Sequence, residues 1–304
     1  MTRVWDRRTG TLYTEPQFGA GGLRALYGVP AMLPLVNAVI ARPWCSRLAA
    51  WPSTWRRSAA RIPGFVTRYG VDVGEVERRP YTSFADFFTR RLRPGARPID
   101  PDPTRLIAPA DAKLLVYPVT DDLTITAKGF TYTLPALLGD PGQGPAGVRS
   151  GPPAGPGRPA WCLVYRLTVD DCHRYCFVDD CTVERTWAVP GALHTVGPWS
   201  AGRLPVLVAN HRVVSTLVTA HFGGMTVIEV GAMLVGRIVN HPVRQGRRGQ
   251  EKGYFAYGGS TIVVLTDAVP DADIAGWSRR GIETRVRLGE AVATAPEGGR
   301  RAAR

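Results

Sequence analysis

The longest apolar stretch runs from Leu23 to Ile40 (LRALYGVPAMLPLVNAVI), but Arg24, Asn37, Pro30 and Pro34 interrupt it. A spanning helix needs roughly 20 mainly apolar residues, so the pattern predicts an interfacial or buried helix pair. Tryptophans and arginines then interleave from Arg42 to Arg68, with Trp44, Arg47, Trp51, Trp55, Arg56, Arg57 and Arg61. Tryptophan favours a membrane interface and arginine meets anionic headgroups. The same run also suits a helical layer on the chain's own core. Tyr81–Leu92 (YTSFADFFTRRL) predicts a helix: Ser83 can cap it, Asp86 stands three residues on, and Phe84, Phe87 and Phe88 share a face.

From Leu106 onward the period shortens. LIAPADAKLLVYPV, LTITAKGFTYTL, WCLVYRLTV, HRYCFVDDCTVERTWAV, PVLVANHRVVSTLVT, MTVIEVGAMLVGRIV and TIVVLT read as short strands separated by turns. The expected class is α+β: residues 1–100 an N-terminal helical, membrane-docking region, and residues 101–297 a mainly β catalytic core of sandwich or barrel type. Residues 139–159 form a Gly/Pro-rich loop and 298–304 a disordered tail.

Charge adds a partner class. The formal net charge of +13 favours an anionic surface. Only Lys113, Lys128 and Lys252 among 38 basic residues are lysines, a bias that fits genome composition. Nucleic-acid binding rests on charge alone and is not expected. Five cysteines without paired spacing argue against a disulfide framework. Cys172 and Cys176 flank His173, yet no second cluster matches them, so no metal is expected. The N-terminus MTRVWDRRTG lacks a signal-peptide apolar core, which leads to the expectation of a cytoplasmic protein.

Gly258-Gly259-Ser260-Thr261 separates two strand-like runs, YFAY and TIVVL. Glycine there marks a bulge or close backbone approach. A serine after glycine at a strained turn can attack the preceding carbonyl, given a base and a group that orients the base. Asp111, His173 and His194 are the candidate polar partners upstream.

Seven stretches in order carry a resemblance: 84–100 (FADFFTRRLRPGARPID), 109–111 (PAD), 128–139 (KGFTYTLPALLG), 171–176 (DCHRYC), 209–212 (ANHR), 230–239 (VGAMLVGRIV) and 251–261 (EKGYFAYGGST). The chain resembles the pyruvoyl-dependent phosphatidylserine decarboxylases over most of its length. The resemblance implies that Ser260 Oγ attacks the Gly259 carbonyl. The resulting ester breaks by elimination, and the residue at 260 hydrolyses to a pyruvoyl group with loss of ammonia. The products would be a β chain ending at Gly259 and an α chain beginning with pyruvoyl. It further implies that the serine headgroup of phosphatidylserine forms a Schiff base there, loses CO2 and leaves as phosphatidylethanolamine. No external cofactor is implied. His173 matches the decarboxylation histidine and Asp111 the acid of self-processing.

The sequence departs from the family pattern at Cys176, where a second histidine usually serves as the processing base. A thiol works as base only as thiolate, so His194 in LHTV is the expected substitute, with Cys176 the alternative. Ala112 in place of glycine, Cys172 in place of tyrosine and His211 in place of an acidic residue are lesser departures. The implied partners are phosphatidylserine and an anionic membrane, with peripheral attachment at the cytoplasmic face; a homodimer is left open. Alternatives are a pyruvoyl decarboxylase of another amino-acid headgroup or soluble amino acid, and a non-enzymatic lipoyl-like module.

Overall fold

A computed structural model describes residues 2–15, 20–127, 129–139, 159–196, 203–233, 237–256, 258 and 260–296. Gly259, Lys128, residues 140–158 of the Gly/Pro-rich loop, 234–236 of VGAMLVGRIV, and the tail 298–304 lie outside the described residues.

One ten-stranded sheet organises the chain. From edge to edge it holds Gln245–Gly246, Cys181–Val189, Arg212–Thr219, Gly223–Gly231, Ser260–Thr266, Trp161–Leu167, Ala112–Pro118, Glu283–Val286, Arg3–Asp6 and Thr11–Thr14. Every pairing is antiparallel except Arg3–Asp6 with Glu283–Val286. The central Ser260–Thr266 strand is buried along its whole length. Ile262 and Val264 enter one apolar cluster, with Leu163, Tyr165 and Phe255. Val263 and Leu265 enter another, with Val164, Ile228 and Trp187. A strand covered on both faces needs an unbroken apolar run, since successive side chains point opposite ways. TIVVL supplies it.

The α+β class therefore holds, but the expected sandwich or barrel is instead one large sheet with a core on each face. Smaller sheets flank it, one of them formed by Arg237–Asn240, Glu251–Ala256 and Arg174–Cys176. The expected helical character of residues 1–100 also needs correction. RVWD and TLYT are strands joined through Gly10 at φ +65°. Arg7 ties this hairpin to the C-terminal part, with Nη2 donating to Asp271 at 2.6 Å and Nε to Asp273 at 2.9 Å. The Ala272–Arg279 helix escaped the strand-dominated reading.

Helices follow the hairpin. Among them Pro43–Ala50 and Ile62–Tyr69 are separated by the 3-10 turns Trp51–Thr54 and Arg56–Arg61, and Phe84–Phe88 follows after a loop. The last is capped as expected: Asp86 N–H donates to Ser83 Oγ at 3.1 Å. It is shorter than expected, ending at Phe88. Phe84, Phe87 and Phe88 pack with Phe65 in a cluster of their own, and Phe84 N–H donates to Ser58 Oγ at 2.8 Å. Among the described residues no helix is long and apolar enough to cross a membrane.

Candidate active site

Ser260 opens the central strand, paired with Leu167 on one side and Gly231 on the other. Alternation puts its side chain on the same sheet face as Ile262 and Val264. It is fully buried, and among the described residues its Oγ has no hydrogen-bond partner. An unpaired buried hydroxyl is uncommon and calls for an explanation. Gly258, two residues earlier, has φ +125°, a conformation that a side chain resists. This glycine is needed for the backbone path into Ser260.

His173 lies against this turn. Its backbone oxygen accepts from Phe255 N–H at 2.9 Å, and its ring packs at a 45° tilt against Phe88 with centroids 4.3 Å apart. Nδ1 is 3.1 Å from the Asp171 carbonyl, and among the described residues Nε2 has no partner. Burial pushes its pKa down to about 3, outweighing the Asp171 and Gly258 backbone groups that favour the charged form; the Arg90 charge adds to the depression. The imidazole is therefore neutral at pH 7.

The remaining candidates are placed differently. Cys176 belongs to the main core, and burial lifts its thiol to about 12; it holds no thiolate at neutral pH. Cys172 is likewise pushed up by burial. His194 is buried and its pKa is lowered by desolvation. Its Nδ1 sits 3.5 Å from Tyr27 Oη. Asn210 clamps its backbone, with His194 N–H donating to Oδ1 at 3.0 Å and Nδ2 donating to the His194 oxygen at 2.9 Å. The same Nδ2 reaches the Gly231 oxygen at 2.8 Å, so one amide joins the His194 segment to the residue paired with Ser260.

Asp111 does not orient an imidazole in this state. Arg97 donates to its carboxylate twice, Nε to Oδ1 at 2.8 Å and Nη2 to Oδ2 at 2.7 Å, and Leu288 N–H adds a third bond at 3.0 Å. A bidentate guanidinium outcompetes a single imidazole N–H for a carboxylate. Among the described residues no hydrogen bond joins Asp111, His173, His194, Cys176 and Ser260 to one another. Arg97 and Asn210 were not singled out from sequence, although both sit inside the quoted stretches LRPGARPID and ANHR.

A cavity of about 730 Å³ opens beside the site. Phe65, Phe84, Phe88, Leu92, Val196 and Met233 give it an apolar wall, and Gly258 borders it. Ser260 is not among its lining residues. Charged residues line it as well. Arg166 pairs with Glu15 at 2.7 Å and with Glu283, and Lys113 Nζ donates to Asp171 at 2.7 Å. Its pKa is raised: Asp171, Asp170 and Glu15 overcome the burial that would lower it. Among the described residues no group of three or more His, Cys, Asp or Glu side chains is placed to hold a metal ion.

Residues 84–294 match the family model described as phosphatidylserine decarboxylase. The chain belongs to this family. It is 39% identical over 292 residues to phosphatidylserine decarboxylase proenzyme 2 of Clostridium acetobutylicum, covering 95% of this chain and 97% of that protein. It is 33% identical over 307 residues to a phosphatidylserine decarboxylase proenzyme of Desulfitobacterium hafniense, covering 98% and 100%. A Chlamydia pneumoniae proenzyme of the same name is 34% identical over 296 residues, covering 94% and 95%. A lipoyl-like carrier is not the family to which this chain belongs.

Proposed function

We infer that the chain is a proenzyme that cleaves itself between Gly259 and Ser260 and then decarboxylates phosphatidylserine to phosphatidylethanolamine. The observation that carries the reading is Ser260 Oγ, buried and without a partner among the described residues, two positions after the positive-φ Gly258. A hydroxyl consumed in processing has no need of a permanent partner. Attack on the Gly259 carbonyl turns the peptide into an ester. Elimination then frees the Gly259 carboxylate and leaves a dehydroalanine at 260, which hydrolyses to pyruvoyl and ammonia. The buried start of the Ser260–Thr266 strand fits such a group, with Gly231 and Leu167 as its strand neighbours. A pyruvoyl ketone at 260 would supply the electron sink that loss of CO2 requires.

The chain's own groups supply the rest. His173, neutral and set by the Asp171 carbonyl beside Gly258, serves the decarboxylation step. His194 is the processing base in preference to Cys176, whose thiol is protonated. Because Asp111 is held by Arg97, its part in processing is exerted through that pair unless the pair opens. The cavity's apolar wall suits a lipid, and its charged wall suits a headgroup.

The N-terminal helices dock peripherally on an anionic bilayer. Among the described residues, six of the eleven exposed large apolar side chains fall between positions 29 and 55: Val29, Leu35, Trp44, Leu48, Trp51 and Trp55. Trp44, Leu48 and Trp51 line an open apolar groove of about 620 Å³, together with Arg47 and Arg237. Such a cluster marks an interaction surface.

Intact-mass measurement of the purified protein tests the central claim. The expected result is an α chain of residues 260–304, on the order of 5 kDa given 33.0 kDa for all 304 residues, with a pyruvoyl N-terminus. Ser260→Ala should stay as one inactive chain. A fully active protein with one uncut chain would sink the reading.

A further inference from the structure

Arg90 is 2% exposed and lines the cavity. It follows the Phe84–Phe88 helix by two residues. Nη2 donates to the Asp170 oxygen at 2.6 Å and the Asp171 oxygen at 3.1 Å, and its guanidinium carbon stands 5.0 Å from the centre of the Phe87 ring. Among the described residues Nε and Nη1 have no hydrogen-bond partner, and no carboxylate lies within ion-pair distance. The other buried cations of this wall are matched, Lys113 with Asp171 and Arg166 with Glu15 and Glu283, and the half-buried Arg97 is matched with Asp111 and Glu75.

A buried charge with idle donors is costly. A neutral amide would serve the two carbonyls as well. The cost is understandable if an anion completes the site in the working state.

We propose that Arg90 binds the phosphodiester of the phospholipid substrate in this cavity. This rests on the decarboxylase reading and adds to it the group that the protein recognises. The substrate carries two anionic groups, and the reaction tells them apart. Its carboxylate loses its charge as CO2 departs, so a guanidinium holding it would stabilise the ground state and slow the chemistry. The phosphodiester is unchanged from substrate to product and can be held throughout. Arg90 Nη2 and His173 Nδ1 each stand 3.1 Å from the same Asp171 oxygen, so the two side chains are neighbours. In the headgroup, phosphorus and amine are separated by only a few bonds. A phosphodiester at Arg90 therefore keeps the amine and carboxylate in the neighbourhood of His173 and Gly258. Phe65, Phe84 and Phe88, from two neighbouring helices, give the same cavity apolar lining suited to the lipid part of the substrate.

Arg90→Gln and Arg90→Lys separate this role from a structural one. Three readouts apply: α-chain release, KM and kcat on phosphatidylserine in mixed micelles, and calorimetric binding of short-chain phosphatidylethanolamine to the uncut Ser260→Ala chain. That product lacks the carboxylate and keeps the phosphodiester. We expect α-chain release to persist, KM to rise about tenfold to a hundredfold in Arg90→Gln with a smaller change in kcat, and product binding to weaken by a similar factor. Arg90→Lys should fall between, keeping the charge but losing the fork. Product binding unchanged in Arg90→Gln would overturn the proposal; paired with a raised KM, it would move Arg90 to the carboxylate. A fall in kcat with KM and binding intact would make Arg90 only a support for the 170–171 backbone. Should Arg90→Gln fail to fold, Arg90→Lys decides by the same binding measurement. Absence of phosphatidylethanolamine from the unaltered chain would count against the decarboxylase reading itself, while the binding measurement, which needs no turnover, still decides Arg90.

Discussion

Ser260, His173, His194 and Cys176 differ in what surrounds them, and that sets what each can do. Cys176 is locked as a thiol by the apolar core. His194 keeps an imidazole whose depressed pKa leaves it unprotonated and able to accept a proton. His173 is neutral, and its backbone oxygen accepts from Phe255 N–H in the strand before Gly258. A time course of α-chain release should therefore be slowed at least about tenfold by His194→Ala, in the range typical of lost acid–base catalysis, and be nearly unchanged by Cys176→Ala. His173→Ala should release the α chain yet form no phosphatidylethanolamine. Normal release in His194→Ala with a block in Cys176→Ala would reverse the assignment. At this scale the sequence disclosed the residue types but not their partners. Nothing in PAD or LRPGARPID states that Arg97 closes on Asp111 across 14 positions, because that pairing depends on how the intervening chain packs.

The Glu251–Ala256 strand, which leads into the cleavage turn, is fastened to the large sheet by a polar cluster. Lys252 Nζ donates to Glu229 at 2.6 Å, Ser215 at 3.1 Å and Asn240 at 3.1 Å, and Tyr175 Oη adds a bond to Asn240 at 3.0 Å. Lys252 and Glu229 are both buried. Lys252→Met strands a buried carboxylate and should cost about 3–5 kcal/mol in urea unfolding; Lys252→Met with Glu229→Gln should recover most of it. Equal losses in both would show that the pair contributes nothing specific. The helices at 43–54 instead carry exposed apolar side chains. Trp44→Ala with Trp51→Ala should weaken flotation on anionic vesicles while leaving α-chain release intact, and added salt should remove only part of the wild-type binding. Unchanged flotation would refute docking through this face. The Arg/Trp interleaving was legible along the chain, and the solvent exposure of those tryptophans is what the fold added.

Across the whole molecule, buried and half-buried histidines link stability to pH. His173, His194 and His211 are all depressed, each mainly by burial. The unfolded chain takes up protons below about pH 6.5, while folded His173 stays neutral until about pH 3. The unfolded state thus binds more protons in that window, and stability is lost as pH falls from about 6.5 toward 3. Thermal melts between pH 7 and 5, above the range where paired carboxylates protonate, should show a falling Tm that is visibly flatter in His173→Asn. Identical slopes would show that His173 is not the group responsible.

By itself the sequence determined the strand-rich character of residues after 105, the capped phenylalanine helix and the glycine at 258 with its positive φ, because each is written in a local period or a local backbone requirement. Its ordered stretches also pointed to the family. Only the tertiary structure decided that the strands form one sheet with two cores. Apolar strands read alike whichever neighbours they take, and the RVWD hairpin joins the sheet through Glu283–Val286, far along the chain. The same holds for the site. The charges of Arg90, Arg97, Lys113 and Asp111 are visible in sequence, but which of them is paired, and which is left to meet a ligand, is fixed by contacts between segments that only folding brings together.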